Sequence, residues 1–408
     1  MKGWYYVSIE FNNEQIYTIY DIEHWWKEPS SKQVFEVSGA AGTGKTTLIM
    51  YFIERIGLEL DEVLFVAYMG KAANQMALNG LPAKTIHSAI YDWKKVYVRD
   101  KETGKILFKE NGSPRTTKIF VKKEKLDKKI KLIVLDEGSM VNKEIGQDLE
   151  SFGIPIIVLG DLNQLPPVFG KPYFLQHPDR ILTKPMRQSE GNPIVWLSQQ
   201  VLKGRELKLG VFGESAIIDR SNISEEMFRK SSIILTCTNL LRYNVNKYFR
   251  ENIKQYTKLD YPHVGEKVVC RKNNWGKFIE KQFYLTNGTT GFVTYFYRDS
   301  YNGKTMKIDM RPDFSKEEFK RIEFSVNHLF SVPGKGEVND GKTFYDEKFC
   351  DIIEFAYALT VHSSQGSQYQ DVLFLVEDSM TSGRNKDLRK KILYTGITRA
   401  MRKITIVI

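Results

Sequence analysis

The sequence predicts an α/β protein with two cores, each a parallel sheet flanked by helices, and with two small β-rich insertions. Three observations predict it. Short, wholly apolar runs alternate with helical stretches between residues 34 and 159, and a second set of such runs occupies 232–237, 371–376 and 404–408. Runs with no polar face belong to parallel strands covered on both sides. Residues 264–355 instead alternate polar and apolar, with turn signals at Asn287-Gly288, Tyr301-Asn302-Gly303 and Pro333-Gly334, the pattern of a small β-rich, barrel-like insertion. The length of 408 residues exceeds one ordinary core and implies two to four domains.

Taken in order, Val34-Phe35-Glu36-Val37 reads as a strand and Thr47 to Ile53 as a helix, with Gly39-Ala40-Ala41-Gly42-Thr43-Gly44-Lys45-Thr46 between them. That stretch meets the GxxxxGK[ST] pattern, followed by Thr47. Its glycines let backbone N–H groups close on an anion, and the helix N-terminus adds partial positive charge. Lys45 reaches the β- and γ-phosphates, and the Thr46 hydroxyl ligates Mg²⁺. A nucleoside triphosphate is the implied ligand. Two further strands end in acidic residues, Ile130 to Leu135 before Asp136-Glu137, and Ile154 to Leu159 before Gly160-Asp161. Behind a phosphate loop, Asp136 suits the metal and Glu137 the deprotonation of the attacking water. Gln164, in Gly160-Asp161-Leu162-Asn163-Gln164-Leu165-Pro166-Pro167-Val168, suits a hydrogen bond to the γ-phosphate or that water.

Composition narrows the partners. Hydrophobic residues make up 42%, no apolar run reaches the length of a membrane span, and the N-terminus lacks a signal-peptide h-region, so the expectation is a cytoplasmic protein without membrane association. Cys237, Cys270 and Cys350 lie far apart without CxxC spacing, as reduced thiols would. The net charge is +11, and Lys94 to Lys131, with fourteen Lys/Arg against five Asp/Glu, carries +9 of it. A polyanion is the natural partner of such a patch. Within it, 95–99 and 105–109 alternate about Asp100-Lys101-Glu102-Thr103-Gly104 and predict a hairpin projecting from the first core.

The ordered set resembles the superfamily 1 helicases of the RecD/Dda type, which move 5′ to 3′ on single-stranded DNA; the compact length is similar to phage-encoded members. The resemblance covers nearly the whole chain. Gly39 to Thr46 is similar to motif I, Asp136-Glu137-Gly138-Ser139 to motif II, and Gly160 to Val168 to the GDxxQLPPV form of motif III. Lys184-Pro185-Met186-Arg187-Gln188 resembles motif IV, Val361-His362-Ser363-Ser364-Gln365-Gly366-Ser367 motif V, and Leu393 to Ala400 motif VI. The resemblance implies that Gln15 reads adenine, that Arg187 and Arg399 act as arginine fingers, and that Gln365 and Gly366 join the ATP site. It further implies two RecA-like cores, 1A (1–93 and 126–190) and 2A (191–258 and 356–408), with a pin domain 1B (94–125) and an SH3-like domain 2B (259–355).

For DNA the resemblance points to Gly70 and Lys71, to Thr85 and His87, and to His362, Ser363 and Ser364. The chain departs from the family where Tyr68-Met69 stands for Pro-Thr and Ser363 for Lys; Tyr68 then becomes a candidate for stacking on a base. Trp93, Tyr97 and Phe108 are the aromatic candidates for the pin. The expected activity is ATP- and Mg²⁺-dependent unwinding of duplex or forked DNA in replication, recombination or repair, by a monomer, with single-strand-binding or replisome proteins as partners. A translocase that strips proteins without unwinding, and an ATP-switched binding module, are the alternatives.

Overall fold

The computed structural model describes residues 10–28, 32–40, 42–100, 103–108, 112–114, 116–167, 170–184, 191–256, 261–280, 283–298, 305–330, 332, 350–377 and 386–408. In chain order the first part contributes β1 (Val34–Gly39), β2 (Val63–Ala67), β3 (Lys84–Thr85), a pair β4 (Tyr91–Tyr97) and β5 (Thr116–Lys122), then β6 (Leu132–Asp136), β7 (Ile156–Gly160) and β8 (Arg180–Leu182). Six of these form one sheet, ordered β3-β2-β6-β7-β1-β8 and parallel throughout. Every residue of β7, and Leu132 to Leu135 of β6, is buried, because helices cover both faces. Helix α1 (Asn13–Lys27) begins with a capping box in which Asn12 and Gln15 satisfy each other's backbone N–H groups. It packs on one face of the sheet with α2 (Lys45–Arg55) and α3 (Gly70–Leu78), through Ile22, Leu48, Phe52 and Ala73. Helices α4 (Ile86–Ile90) and α5 (Lys143–Glu150) contribute Ile86, Ile90 and Leu149 to the other face.

The second core is a sheet of strands β9 (Gly210–Phe212), β10 (Ser215–Ile218), β11 (Ile233–Thr236), β19 (Ala358–Thr360), β20 (Tyr369–Leu375) and β21 (Ala400–Val407). Its order is β19-β11-β20-β21-β10-β9, parallel except for the β9 edge. The segment between β11 and β19 leaves this sheet to form a five-stranded antiparallel one. Its strands are β12 (Lys267–Cys270), β15 (Thr290–Tyr297), β16 (Thr305–Pro312), β17 (Phe319–Ser325) and β18 (Ile353–Phe355), beside a two-stranded ribbon of β13 (Asn274–Ile279) and β14 (Phe283–Leu285). The Asn287-Gly288 turn joins ribbon to sheet, with Gly288 at φ 90°. Cys237, Cys270 and Cys350 form no disulfide among the described residues. Among the described residues no helix is long and apolar enough to cross a membrane.

The basic hairpin needs a correction. Its long limbs are β4 and β5, paired in register from Tyr91 opposite Lys122 to Tyr97 opposite Thr116, so the strand returning to the core is 116–122 and not 105–109. The predicted Asp100–Gly104 turn is present, closed by Asp100 N–H to Lys105 O at 2.8 Å and followed by Leu107 N–H to Val98 O at 2.9 Å; among the described residues the 105–108 limb is paired by bridges at Arg99/Ile106 and Phe108/Pro114. Trp93 explains the longer pairing: its ring lies 3.8 Å from that of Phe120 on the opposite strand, a cross-strand aromatic pair that fixes this register.

The five-stranded sheet is tied to the second core by an ion pair inside the protein. Arg250 donates from Nε to Glu266 Oε1 at 2.6 Å and from Nη2 to Glu266 Oε2 at 3.3 Å, and both residues are buried. Glu266→Gln leaves the guanidinium without its counter-charge and is expected to cost about 3–5 kcal/mol. Urea unfolding measures this, and an unshifted midpoint contradicts it.

Candidate functional site

Strands β6, β7 and β1 are neighbours, so their carboxyl ends bring Asp136, Gly160 and Gly39 together at one edge of the first sheet. An open parallel sheet binds its ligands in the crevice beyond this edge. Across the crevice stand segments that precede strands of the second core: Gly366 to Gln368 before β20, and Arg399 before β21. The space between is a cavity of about 500 Å³ lined by Gly42 to Thr47, Asp136, Glu137, Gln164 and Arg399.

The phosphate loop leaves β1 at Gly39 and enters α2 at Lys45, with Gly42 and Gly44 at φ 81° and 79°, where a side chain would be strained. Lys45 Nζ donates to Gly39 O at 2.6 Å and Ala40 O at 3.1 Å, curling its charge over the loop. Ala41 lies outside the described residues. Gln15 is buried, and its amide bonds within the protein: Oε1 accepts from Asn12 N at 3.0 Å and Nε2 donates to Thr43 O at 3.0 Å. In this conformation it braces the phosphate loop.

Asp136 Oδ1 accepts from Glu137 N at 2.9 Å. Glu137 itself sits at φ 54°, ψ 40°, a left-handed conformation that costs a non-glycine residue roughly 1–2 kcal/mol. Strain of this kind collects where a side chain must be aimed. Burial raises the pKa of both carboxyls. That of Glu137 is pushed up to about 7 by burial, then by Asp136 and Asp161, against the opposing pull of Arg399 and Lys45. Thr46 and Asp136 are hard oxygen donors of the kind magnesium takes. Among the described residues no three His, Cys, Asp or Glu side chains converge as a metal cluster, so such an ion would complete its shell from phosphate and water. Gln164 is buried and lines the cavity, and its Oε1 has no hydrogen-bond partner among the described residues. A buried acceptor left open costs free energy unless a ligand or water meets it.

Arg399 is buried and held by three acceptors: Thr395 O at 3.0 Å, Ser367 O at 3.2 Å and Thr398 Oγ1 at 3.2 Å. It reaches the same cavity as Lys45 from the opposite core. Arg187, the other predicted finger, lies outside the described residues. Gly366 lines the cavity, whereas Gln365 does not: its Nε2 donates to Leu165 O at 3.1 Å.

That last contact belongs to a clasp the sequence did not reveal. Leu165 packs in the second core's hydrophobic cluster, and its N–H donates to Thr395 Oγ1 at 3.2 Å. Tyr394 OH donates to buried Asp161 at 2.7 Å, and Lys391 Nζ to Leu162 O at 3.2 Å. The loop holding Gln164 is therefore gripped by the helix that leads to Arg399. The acidic Asp161 following a strand was the available signal, but its partner lies 233 residues away in sequence.

The predicted DNA contacts divide. Gly70 abuts the turn between ribbon and sheet so closely that a Cβ would lie 2.3 Å from Thr286 Cβ. Lys71 Nζ bridges to Thr290 Oγ1 at 3.3 Å and Tyr369 OH at 3.4 Å, joining three parts of the molecule. Thr85 is buried and caps α4 through Ser88 N, and buried Ser364 donates to Val361 O; both side chains are occupied locally. His87 is packed among Tyr68, Tyr91 and Phe120, with ring centroids at 6.2, 5.6 and 5.6 Å, and burial lowers its pKa as it does that of His362. Ser363 accepts from Arg271 Nη1 at 3.0 Å, which brings a guanidinium from just beyond β12 to this position. Trp93, Tyr97 and Phe108 are about half exposed.

Residues 25–170 match the family model of an AAA domain, and 355–407 that of a UvrD-like helicase C-terminal domain. An uncharacterized protein of Methanocaldococcus jannaschii is 25% identical over 91% of this chain, which spans 36% of that protein. The ATP-dependent DNA helicase Pif1 of Campylobacter jejuni is 24% identical over 89% of this chain and 86% of its own length. Among solved structures, Pif1 helicase from Bacteroides in complex with ADP-AlF3 and single-stranded DNA has a TM-score of 0.52 at 17% identity, covering 98% of this chain and 92% of that one.

Proposed function

We propose that the chain is an ATP-dependent DNA helicase of superfamily 1, similar to the Pif1-like group that is related to RecD and Dda. The observation that carries this reading is the single cavity shared by Lys45, Glu137 and Gln164 of one core and Arg399 of the other. Phosphoryl transfer is accelerated by positioned positive charge and an oriented water. Here the water-orienting groups and the second cation lie on different cores, so hydrolysis depends on how those cores meet.

In this mechanism the loop N–H groups and Lys45 bind the β- and γ-phosphates. Glu137 takes the proton of the attacking water, Gln164 orients that water or the γ-phosphate, and Arg399 stabilises charge on the transferring group. Thr46 and Asp136 would hold magnesium, which supplies further charge to the phosphates. The Gln164 loop is the mechanical link, because Tyr394, Thr395, Lys391 and Gln365 of the second core all hold its segment. A change at the γ-phosphate is thereby felt in both cores. If both grip single-stranded DNA, with Lys71 and the Ser363–Arg271 pair near the track, each cycle moves one grip relative to the other.

We assign the 94–125 hairpin as the separating pin and the antiparallel sheet as the domain that closes over the strand. The exposed rings of Trp93, Tyr97 and Phe108 favour unwinding over bare translocation, since a wedge needs apolar surface to replace base stacking. The expected direction is 5′ to 3′. A duplex carrying only a 5′ tail is expected to be unwound with ATP, and the same duplex carrying only a 3′ tail is not; the reverse preference overturns the direction. Single-stranded DNA is expected to stimulate hydrolysis strongly, and a rate indifferent to it would leave a nucleotide-controlled switch.

A further inference from the structure

Strand β15 carries a row of aromatic rings that the nucleotide cavity and the cleft between the cores do not use. A bulge between Val293 and Tyr295 resets the alternation, so that Phe292, Tyr295 and Tyr297 share the outer face while buried Val293 and inward Phe296 join the sheet's core. Phe292 is 38% and Tyr295 54% exposed, a large apolar area for a sheet with a packed inner face. The row is interleaved with cations. Exposed Arg311 stands opposite Phe292 and Lys307 opposite Tyr297, while the Arg321 guanidinium lies 5.0 Å from the Tyr297 ring centroid. The acids among them are already matched to lysines, Glu323 to Lys307 and Asp309 to Lys320. Along one side runs a groove of about 800 Å³ that reaches Tyr261 and Arg298.

The row has a direction. It begins two residues beyond Thr290, which Lys71 joins to Tyr369 of the second core, and Tyr297 lies roughly 16 Å beyond Phe292 at a strand rise of about 3.3 Å per residue. Phe292 and, further along, the edge-to-face pair Tyr295 and Tyr297, with ring centroids 4.7 Å apart, form two aromatic platforms with cations beside them; such platforms suit single-stranded nucleic acid, whose bases stack on any π-face and whose phosphates meet the cations. We propose that this outer face is a second single-strand site that continues the path from the cleft, with bases on Phe292 and on the Tyr295–Tyr297 pair and phosphates against Arg311 and Arg321. The proposal rests on the reading that the cleft itself grips single-stranded DNA.

Labelled thymidine oligonucleotides of about eight and about twenty nucleotides test it, since a short one fills the cleft alone. The wild-type protein is expected to bind the long one more tightly. Tyr295→Ala combined with Tyr297→Ala, and separately the fully surface change Arg311→Glu, are expected to weaken the long oligonucleotide by about tenfold or more while leaving the short one unchanged. Unaltered melting temperatures establish that the variants fold. Equal affinity of wild type and both variants for the long oligonucleotide overturns the proposal, as does a wild-type affinity indifferent to length, which would leave the face to a protein segment. Stimulation of ATP hydrolysis by the short oligonucleotide reports the cleft separately. Its failure counts against the motor, while the length-dependent affinity still decides the outer face.

Discussion

Lys45→Ala is expected to lower ATP hydrolysis by at least about a hundredfold, the scale of losing one preorganised charge at a transferring group. The Lys45 ammonium now rests on the carbonyls of Gly39 and Ala40, two acceptors a phosphate would displace. It is also one of two cations that offset the charge of Glu137, the other being Arg399. Its removal acts twice: the β- and γ-phosphates lose their partner, and Glu137 holds its proton more tightly and serves less well as a base. The measurement is steady-state hydrolysis at saturating single-stranded DNA. Turnover near wild type would refute the assignment of the loop. Nucleotide affinity should fall along with turnover, because the charge meets the phosphates in the ground state as well as in the transition state.

Much of this was legible before any coordinates. The buried runs ending at Asp136 and Gly160 gave the central strands, since a strand with no polar face has to lie inside a covered parallel sheet. The loop at 39–46 gave the ligand, since glycines and a lysine at that spacing answer a phosphate's needs. Pairing across long gaps was not legible. Tyr394 to Asp161, Gln365 to Leu165 and Arg271 to Ser363 join residues whose sequence neighbourhoods say nothing of each other. The return limb of the hairpin was misplaced for a related reason. The turn and its first pairs at 98–99 and 106–107 follow the local pattern, whereas the pairing of 91–97 with 116–122 spans the intervening segment, with Trp93 against Phe120. The outer aromatic row was hidden by its bulge: read with strict period two, Phe292 and Tyr295 fall on opposite faces.

Glu137→Gln is expected to keep nucleotide binding and lose at least about a hundredfold in turnover, as removal of a general base does. The amide preserves the side chain's volume and leaves the Glu137 N–H contact to Asp136 untouched, so the cavity keeps its shape. What disappears is a carboxylate that burial and its acidic neighbours have brought to about 7, close to the value at which a base is both available and able to take a proton. Unchanged hydrolysis removes Glu137 from the mechanism. A companion substitution separates chemistry from fold. Glu137 is one of five non-glycine residues with positive φ among those described, and glycine adopts that conformation without strain. Glu137→Gly is therefore expected to hold or raise the melting temperature while abolishing turnover, the opposite pairing from a residue kept for stability. The strained backbone would then be the cost of aiming a base at the water beside the γ-phosphate, and the nucleotide-loaded Gln variant, still able to close its two cores, would trap the state from which each step along DNA begins.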